Sequence, residues 1–249
     1  QAISGAVIIC VSTPVGADQT PDLANLRAAT TAVAEAATEG TLVIVRSTVP
    51  VGTCRDVVLP ILESQKKGIH LASCPESTIQ GRAIAELRNL PQVVGGVDEF
   101  SASLAIKLWE QVTGQVVTVE SLETAELVKL VNNCHTDLIY SFGNEVAMMA
   151  QQYQLDPMEV IRAANVDYPR PDLARPGFVA GPCLTKDPYL LIDSMEKKGY
   201  VPNLVKHARL INESLSNNVA QHFMECLKRA TGDLAGAKVL VCGLAYKGW

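Results

Sequence analysis

The run Ala6-Val7-Ile8-Ile9-Cys10-Val11 is apolar throughout and rich in β-branched residues, and the turn-forming segment Ser12-Thr13-Pro14-Val15-Gly16 follows it directly. A continuous apolar run of that length reads as a strand covered on both faces, as in a parallel sheet. Asp22 then offers a cap for a helix carrying Leu23, Leu26, Val33 and Ala37 on one side. Residues 41–45 form the next strand, Pro50-Val51-Gly52 is a turn, and Thr53 can cap a helix with Val57, Val58, Ile61 and Leu62. Residues 71–74, 92–94 and 115–119 read as further strands. Strand and helix alternating in this way predict an α/β unit with a parallel sheet.

Further along, the period changes from two to 3.6. Residues 122–152 predict one long helix, with Ala125, Val128, Val131, Leu138, Phe142, Val146 and Met149 at helical spacing. Asp156-Pro157-Met158-Glu159 is a strong helix start: Asp caps, Pro takes the first helical position, and Glu completes the box. A loop rich in Pro and Gly spans 168–188, and a second long helix spans about 202–230, ended by Gly232. Lys238-Val239-Leu240-Val241-Cys242-Gly243 looks like the opening strand of another α/β unit. The expected domains are therefore 1–119, 120–232 and 233–249. A buried-type strand at the very start and an unpartnered one at the very end lead us to expect a piece of a longer protein.

The formal net charge of -5 argues against a general nucleic-acid binder. No apolar run reaches the ~20 residues of a membrane span, and residues 6–11 lack the basic flank of a signal peptide. Seven cysteines without a C-x-x-C pair fit reduced thiols in a cytoplasmic protein rather than a disulfide framework. The four histidines have no metal-ligand spacing with one another or with cysteines, so no metal site is expected.

Six features carry chemistry. Thr13 and Pro14 follow the first strand and Thr48 the second, positions where a parallel sheet binds ligands; each also reads as an ordinary turn. Glu76, after the third strand, can bind hydroxyls or assist proton transfer, or simply be a solvated carboxylate. Lys129 and Asn133 stand four residues apart on the long helix and share a face. Together they can hold a developing oxyanion, while Lys129 alone can equally snorkel to solvent. Cys183 lies among turn-forming residues in Gly181-Pro182-Cys183-Leu184-Thr185-Lys186-Asp187-Pro188. A nearby cation favours a thiolate, and an adjacent carboxylate can activate water. Cys10, Cys74, Cys134 and Cys242 fall in apolar strands or on a helix and read instead as buried structural thiols. Gly243-Leu244-Ala245-Tyr246-Lys247 suits a phosphate-binding turn.

The ordered set Cys10-Val11-Ser12-Thr13-Pro14, Ser47-Thr48-Val49-Pro50-Val51-Gly52-Thr53, Cys74-Pro75-Glu76, Val94-Gly95-Gly96, Ala125-Glu126-Leu127-Val128-Lys129, Asn144-Glu145, Cys183 to Asp187, Ala208-Arg209 with Asn212, and Gly243 to Lys247 resembles the nucleotide-sugar 6-dehydrogenases, which act on UDP-glucose, GDP-mannose or UDP-N-acetylmannosamine. The resemblance implies a partial Rossmann-like parallel sheet binding NAD, a mostly helical domain forming a homodimer, and a nucleotide-sugar domain. It implies oxidation of the sugar C6 alcohol to the acid in two hydride transfers through a thiohemiacetal and thioester on Cys183. Lys129 and Asn133 would stabilise oxyanions, and Asp187 and Thr48 would organise water and proton transfer. Thr13, Pro14, Thr48 and Lys186 would contact the cofactor. Glu76 and Lys186 would position the sugar. Arg170 would reach the nucleotide-sugar across the dimer, and Lys247 would bind it from the third domain. A nucleotide-sugar (UDP- or GDP-linked) is the implied partner, with neither nucleic acid nor membrane.

The chain departs from the family pattern in lacking the G-x-G-x-x-G segment, and it has Phe178 and Ala180 where glycines are usual. Thr136, Ser77 and Tyr168 replace Arg, Arg and His of the N-acetylmannosamine branch. A hydroxyacid dehydrogenase of the 6-phosphogluconate type also joins a dinucleotide domain to helices with a catalytic Lys, and needs no thiol. A third reading is a dimerisation core without catalysis.

Overall fold

A computed structural model describes residues 2–79 and 81–243. The chain forms two compact units, Gln1–Asn132 with Tyr189–Val201, and Asn133–Pro188 with Pro202–Trp249.

The first unit is α/β. Its elements in order are β1 (Ala6–Ile9), α1 (Ala24–Ala36), β2 (Leu42–Val45), a wide π-helical turn over Cys54–Val58 running into α2 (Leu59–Glu63), β3 (His70–Ser73), α3 (Ala83–Asn89), β4 (Gln92–Gly96), α4 (Glu99–Trp109) and β5 (Val116–Val119). The strands lie in the order β1-β2-β3-β4-β5. All pairs are parallel except β3 with β4, which is antiparallel. The sheet is thus mostly parallel, in line with the expected Rossmann-like α/β unit, with one antiparallel pair. α3, which joins those strands, has no fully buried residue and reaches the core through the partly buried Leu87.

β2 explains why its sequence is apolar without alternation: all four residues are buried. Val43 and Val45 pack with Leu26, Ala34, Val58 and Leu62 on one face, while Leu42 and Ile44 pack with Ala72, Val94, Ala105 and Trp109 on the other. β1 was expected to be covered likewise. It is an edge strand, with Ile9 buried but Ile8 43% exposed. Gly95 is required by close approach: a Cβ there would stand 2.1 Å from the Ser121 carbonyl oxygen. The cap position of α1 is Leu23, without a side-chain bond, rather than the expected Asp22, whose Oδ1 accepts from the Ala24 amide at 2.8 Å just before the helix.

The second unit is helical. Its elements are the later part of α5 (Leu122–Gln152), α6 (Pro157–Asn165), the start of α7 (Asp187–Glu196) and α8 (Asn203–Thr231). Asp156 caps α6 by accepting from the Met158 amide, and Gly232 closes α8 at φ 82°, in the left-handed region. The stripe predicted to bury α5 is partly outward: Val131, Phe142 and Met149 are 43%, 49% and 50% exposed. Cys134, Asp137, Ser141 and Asn144 are buried instead. The polar members of that stripe are tolerated because each is hydrogen-bonded. Residues 238–243 form no strand, and Val239, Leu240 and Val241 are exposed. A strand exists only as a ladder, and no segment of the described residues pairs with them. Cys10 and Cys242, expected to be buried, are exposed. Among the described residues no helix is long and apolar enough to cross a membrane.

Candidate active site

In the first unit the carboxyl ends of β1 and β2 lie side by side, Ile9 opposite Val45. The loops leaving them are tied together. Ser47 Oγ donates to the Val11 carbonyl at 2.7 Å and accepts from its amide at 2.8 Å. Thr13 Oγ1 donates to the Thr48 carbonyl at 2.6 Å. Thr13 is therefore buried as a brace, while Ser12 and Pro14 remain exposed and Thr48 half-buried. This open edge of two adjacent parallel strands has the form of a dinucleotide site.

Two positions before Thr48, Arg46 is buried. Its Nε and Nη2 donate to Glu76 Oε2 at 2.9 and 2.5 Å, Nη1 donates to Gln92 Oε1 at 2.9 Å, and the guanidinium lies 4.5 Å from the Trp109 ring centroid. Glu76 Oε1 accepts from the amides of Ser77 and Thr78, both at 2.8 Å. Burial raises the Glu76 pKa, but the Thr78 amide and Arg46 outweigh it and hold the carboxyl below its usual range.

Glu126, on α5, is 1% exposed and caps the turn after Thr48: its carboxylate oxygens accept from the amides of Gly52 and Cys54 at 2.6 and 2.8 Å. Thr53, the expected cap, donates instead to the Pro50 carbonyl at 2.7 Å. Burial pushes Glu126 up to about 7.

In the second unit Cys183 stands in the turn that opens α7, with its thiol free and exposed. Its carbonyl accepts from the amides of Lys186 and Asp187 at 3.1 and 2.8 Å. Asp187 is 1% exposed; its Oδ2 accepts from Asn133 Nδ2 at 2.5 Å, and its Oδ1 lies 3.2 Å from Lys186 Nζ. The fold thus brings together Cys183, Lys186, Asp187 and Asn133. The loop is staked elsewhere by groups that sequence reasoning assigned no role. Asn144 exchanges hydrogen bonds with Gly177, accepting at 2.8 Å and donating at 3.1 Å. Arg209 donates to the Leu184 carbonyl at 2.6 Å and to Asp137 Oδ1 at 2.8 Å. The available signal was the set of charged and amide residues on helix faces that otherwise read as core.

Lys129 lies in the first unit, half-buried on α5. Arg170 is engaged locally: it donates to the Ala164 carbonyl at 2.7 Å and the Pro171 carbonyl at 2.9 Å, and stacks 5.0 Å from the Tyr168 ring centroid. Lys247 lies outside the described residues.

Two profiles of one family match the chain. The UDP-glucose/GDP-mannose dehydrogenase family NAD binding domain matches residues 2–113, and that family's central domain matches residues 123–214. A UDP-N-acetyl-D-mannosamine dehydrogenase of Pyrococcus horikoshii is 38% identical over 250 residues, covering 98% of this chain and 59% of that protein. The solved UDP-D-ManNAc dehydrogenase from Pyrococcus horikoshii superposes with a TM-score of 0.84 at 36% identity, over 92% of this chain and 55% of that one. An NDP-N-acetyl-D-galactosaminuronic acid dehydrogenase from Methanosarcina mazei superposes with a TM-score of 0.79 at 26% identity, over 91% and 52%. The chain spans little more than half the length of these relatives.

Proposed function

The chain belongs to the UDP-glucose/GDP-mannose dehydrogenase family, and from that premise we propose that it oxidises the C6 primary alcohol of a nucleotide-linked sugar to the acid. UDP-N-acetyl-D-mannosamine, named in its relatives, is the first candidate substrate. The observation that carries the reading is the exposed Cys183 thiol on the turn opening α7, beside the Asn133–Asp187–Lys186 cluster.

Bound NAD supplies the acceptor for the hydride lost in each oxidation. The open edge beyond β1 and β2 fits such a group, with Pro14 exposed, Thr48 half-buried and Thr13 bracing the two loops against each other. Cys183 sulfur adds to C6 of the aldehyde, a C–S bond forms, and the carbonyl π pair moves to oxygen, giving a thiohemiacetal. Oxidation of that adduct gives a thioester. Water then attacks the carbonyl, the C–S bond breaks, the thiolate is restored and the acid leaves. Asn133 suits an oxyanion donor because its amide keeps a second N–H beyond the one given to Asp187. Asp187 orients Asn133 and Lys186 and organises the attacking water. Lys129 adds positive charge to the oxyanion, and Lys186 serves cofactor and sugar. Glu76, Arg170 and Lys247 complete the sugar and nucleotide contacts. The exposed apolar side chains Val131, Phe142 and Met149 on α5 support a homodimer through the helical domain. Cysteines that are all free suit a reducing compartment, which supports the cytoplasm.

The test is Cys183→Ser in the full-length protein, with NADH formation and acid product measured on UDP-N-acetyl-D-mannosamine, UDP-glucose and GDP-mannose. Acid formation is expected to disappear with the preferred substrate. Acid at the wild-type rate would sink the thiol route and favour the thiol-independent hydroxyacid chemistry.

A further inference from the structure

The exposed Cys183 turn is held by a buried polar spine that lies away from the reacting atoms. Asp137 and Arg209 are each 1% exposed, and Asn144 and Asn212 are 0% and 5% exposed. Asn212 Nδ2 donates to Asp137 Oδ1 at 2.8 Å, and Asn212 Oδ1 accepts from Asn144 Nδ2 at 2.8 Å. The spine reaches the loop at two points, Gly177 through Asn144 and the Leu184 carbonyl through Arg209 Nη1. Gly143 permits a third: a Cβ there would stand 2.4 Å from the Ala174 carbonyl oxygen. The residue after the nucleophile is thus gripped by a buried guanidinium. A charge at that depth is costly unless paired, and a pure packing role would be served by an apolar side chain of the same volume.

We propose that Arg209 is a positioning residue for Cys183, setting the height of its turn through the Leu184 carbonyl, with Asp137 and the half-exposed Glu213 pairing the guanidinium and Asn212 holding Asp137. The proposal rests on the reading of Cys183 as nucleophile. Its signature is a loss in kcat rather than KM, because substrate binding does not pass through the spine while sulfur placement does. Misplacement of a reacting group by about an ångström costs on the order of 100-fold in rate. Arg209→Lys retains a donor able to reach both Asp137 and Leu184, so it should recover part of the loss.

The experiment measures kcat and KM for acid formation in full-length Arg209→Met and Arg209→Lys, together with the rate of iodoacetamide alkylation at each cysteine by mass spectrometry. Cys134, buried in the same unit, reports whether the fold is intact. The expected result is a kcat about 100-fold lower in Arg209→Met at nearly unchanged KM. Arg209→Lys should fall between, Cys183 alkylation should be altered, and Cys134 should stay protected. A wild-type kcat with unchanged Cys183 alkylation would overturn the proposal. Should Arg209→Met fail to fold because Asp137 is stranded, the pair Asp137→Leu/Arg209→Met removes both charges. A folded double variant with low kcat supports the grip on Leu184, and one with full kcat refutes it. If Cys183→Ser itself still forms acid, the thiol reading has failed separately, and the alkylation rates alone decide whether Arg209 holds the turn.

Discussion

The carboxylate of Glu76 meets four donors, two from Arg46 and two from the Ser77 and Thr78 amides. An oxygen pair so engaged is a fixed acceptor, poorly suited to carrying a proton back and forth. Removing its charge in Glu76→Gln leaves Arg46 buried with one fewer counter-charge, at 4% side-chain exposure against 42% for Glu76. The half-exposed partner is screened, so the expected loss is only about 1 kcal/mol at neutral pH. The folded pKa of Glu76 is depressed, so this stability is present above the ordinary carboxylate value and lost as pH falls through the folded one. Thermal melts of both proteins should differ at pH 7 and converge in acid; a constant difference would contradict the ion-pair account. Glu76 was legible as a site residue from its place after a strand. Arg46, which orients it, was not, since an Arg ending an apolar strand looks the same in sequence whether it turns inward or out.

At the scale of elements, the turn between β2 and α2 is held by a side chain from α5 rather than by its own Thr53. Glu126 accepts two amides there while burial pushes it up to about 7 from 4.5. The folded pKa is raised, so the folded state binds the proton more tightly than the unfolded chain. The associated stability is full below about pH 4.5 and is lost as pH rises through about 7, a difference of about 3 kcal/mol. Urea unfolding between pH 4.5 and 8 should show that decline, and Glu126→Gln should flatten it. An unchanged slope in the variant would assign the decline to another group. Local signals found α5, α6 and α8 because caps and 3.6 periodicity act within one segment. They did not show that polar Asp137 and Asn144 join Ala125 and Val146 on the buried side of α5, where hydrogen bonds with Arg209 and Asn212 satisfy them.

Across the whole molecule, the seven thiols separate by burial. Cys10, Cys183, Cys226 and Cys242 are exposed, while Cys54, Cys74 and Cys134 are buried. Burial pushes Cys74 and Cys134 up to about 12. Titration of the native protein with a thiol reagent at pH 8 should therefore label Cys183, Cys226 and Cys242 quickly, with Cys10 slower because burial raises its thiol pKa. The buried Cys54, Cys74 and Cys134 should follow only on denaturation, and fast labelling of any of them would contradict the packing described. The alternation of strands and helices, the long α5 and the ordered motifs were determined by the sequence alone, because propensity, capping and motif spacing are local properties. Tertiary structure decided the rest. It turned β4 antiparallel to β3, left one face of β1 open at the sheet edge, and put a polar spine under Cys183. Each depends on which distant groups arrive beside a residue, and a polar side chain is stable in a core only when those groups satisfy it.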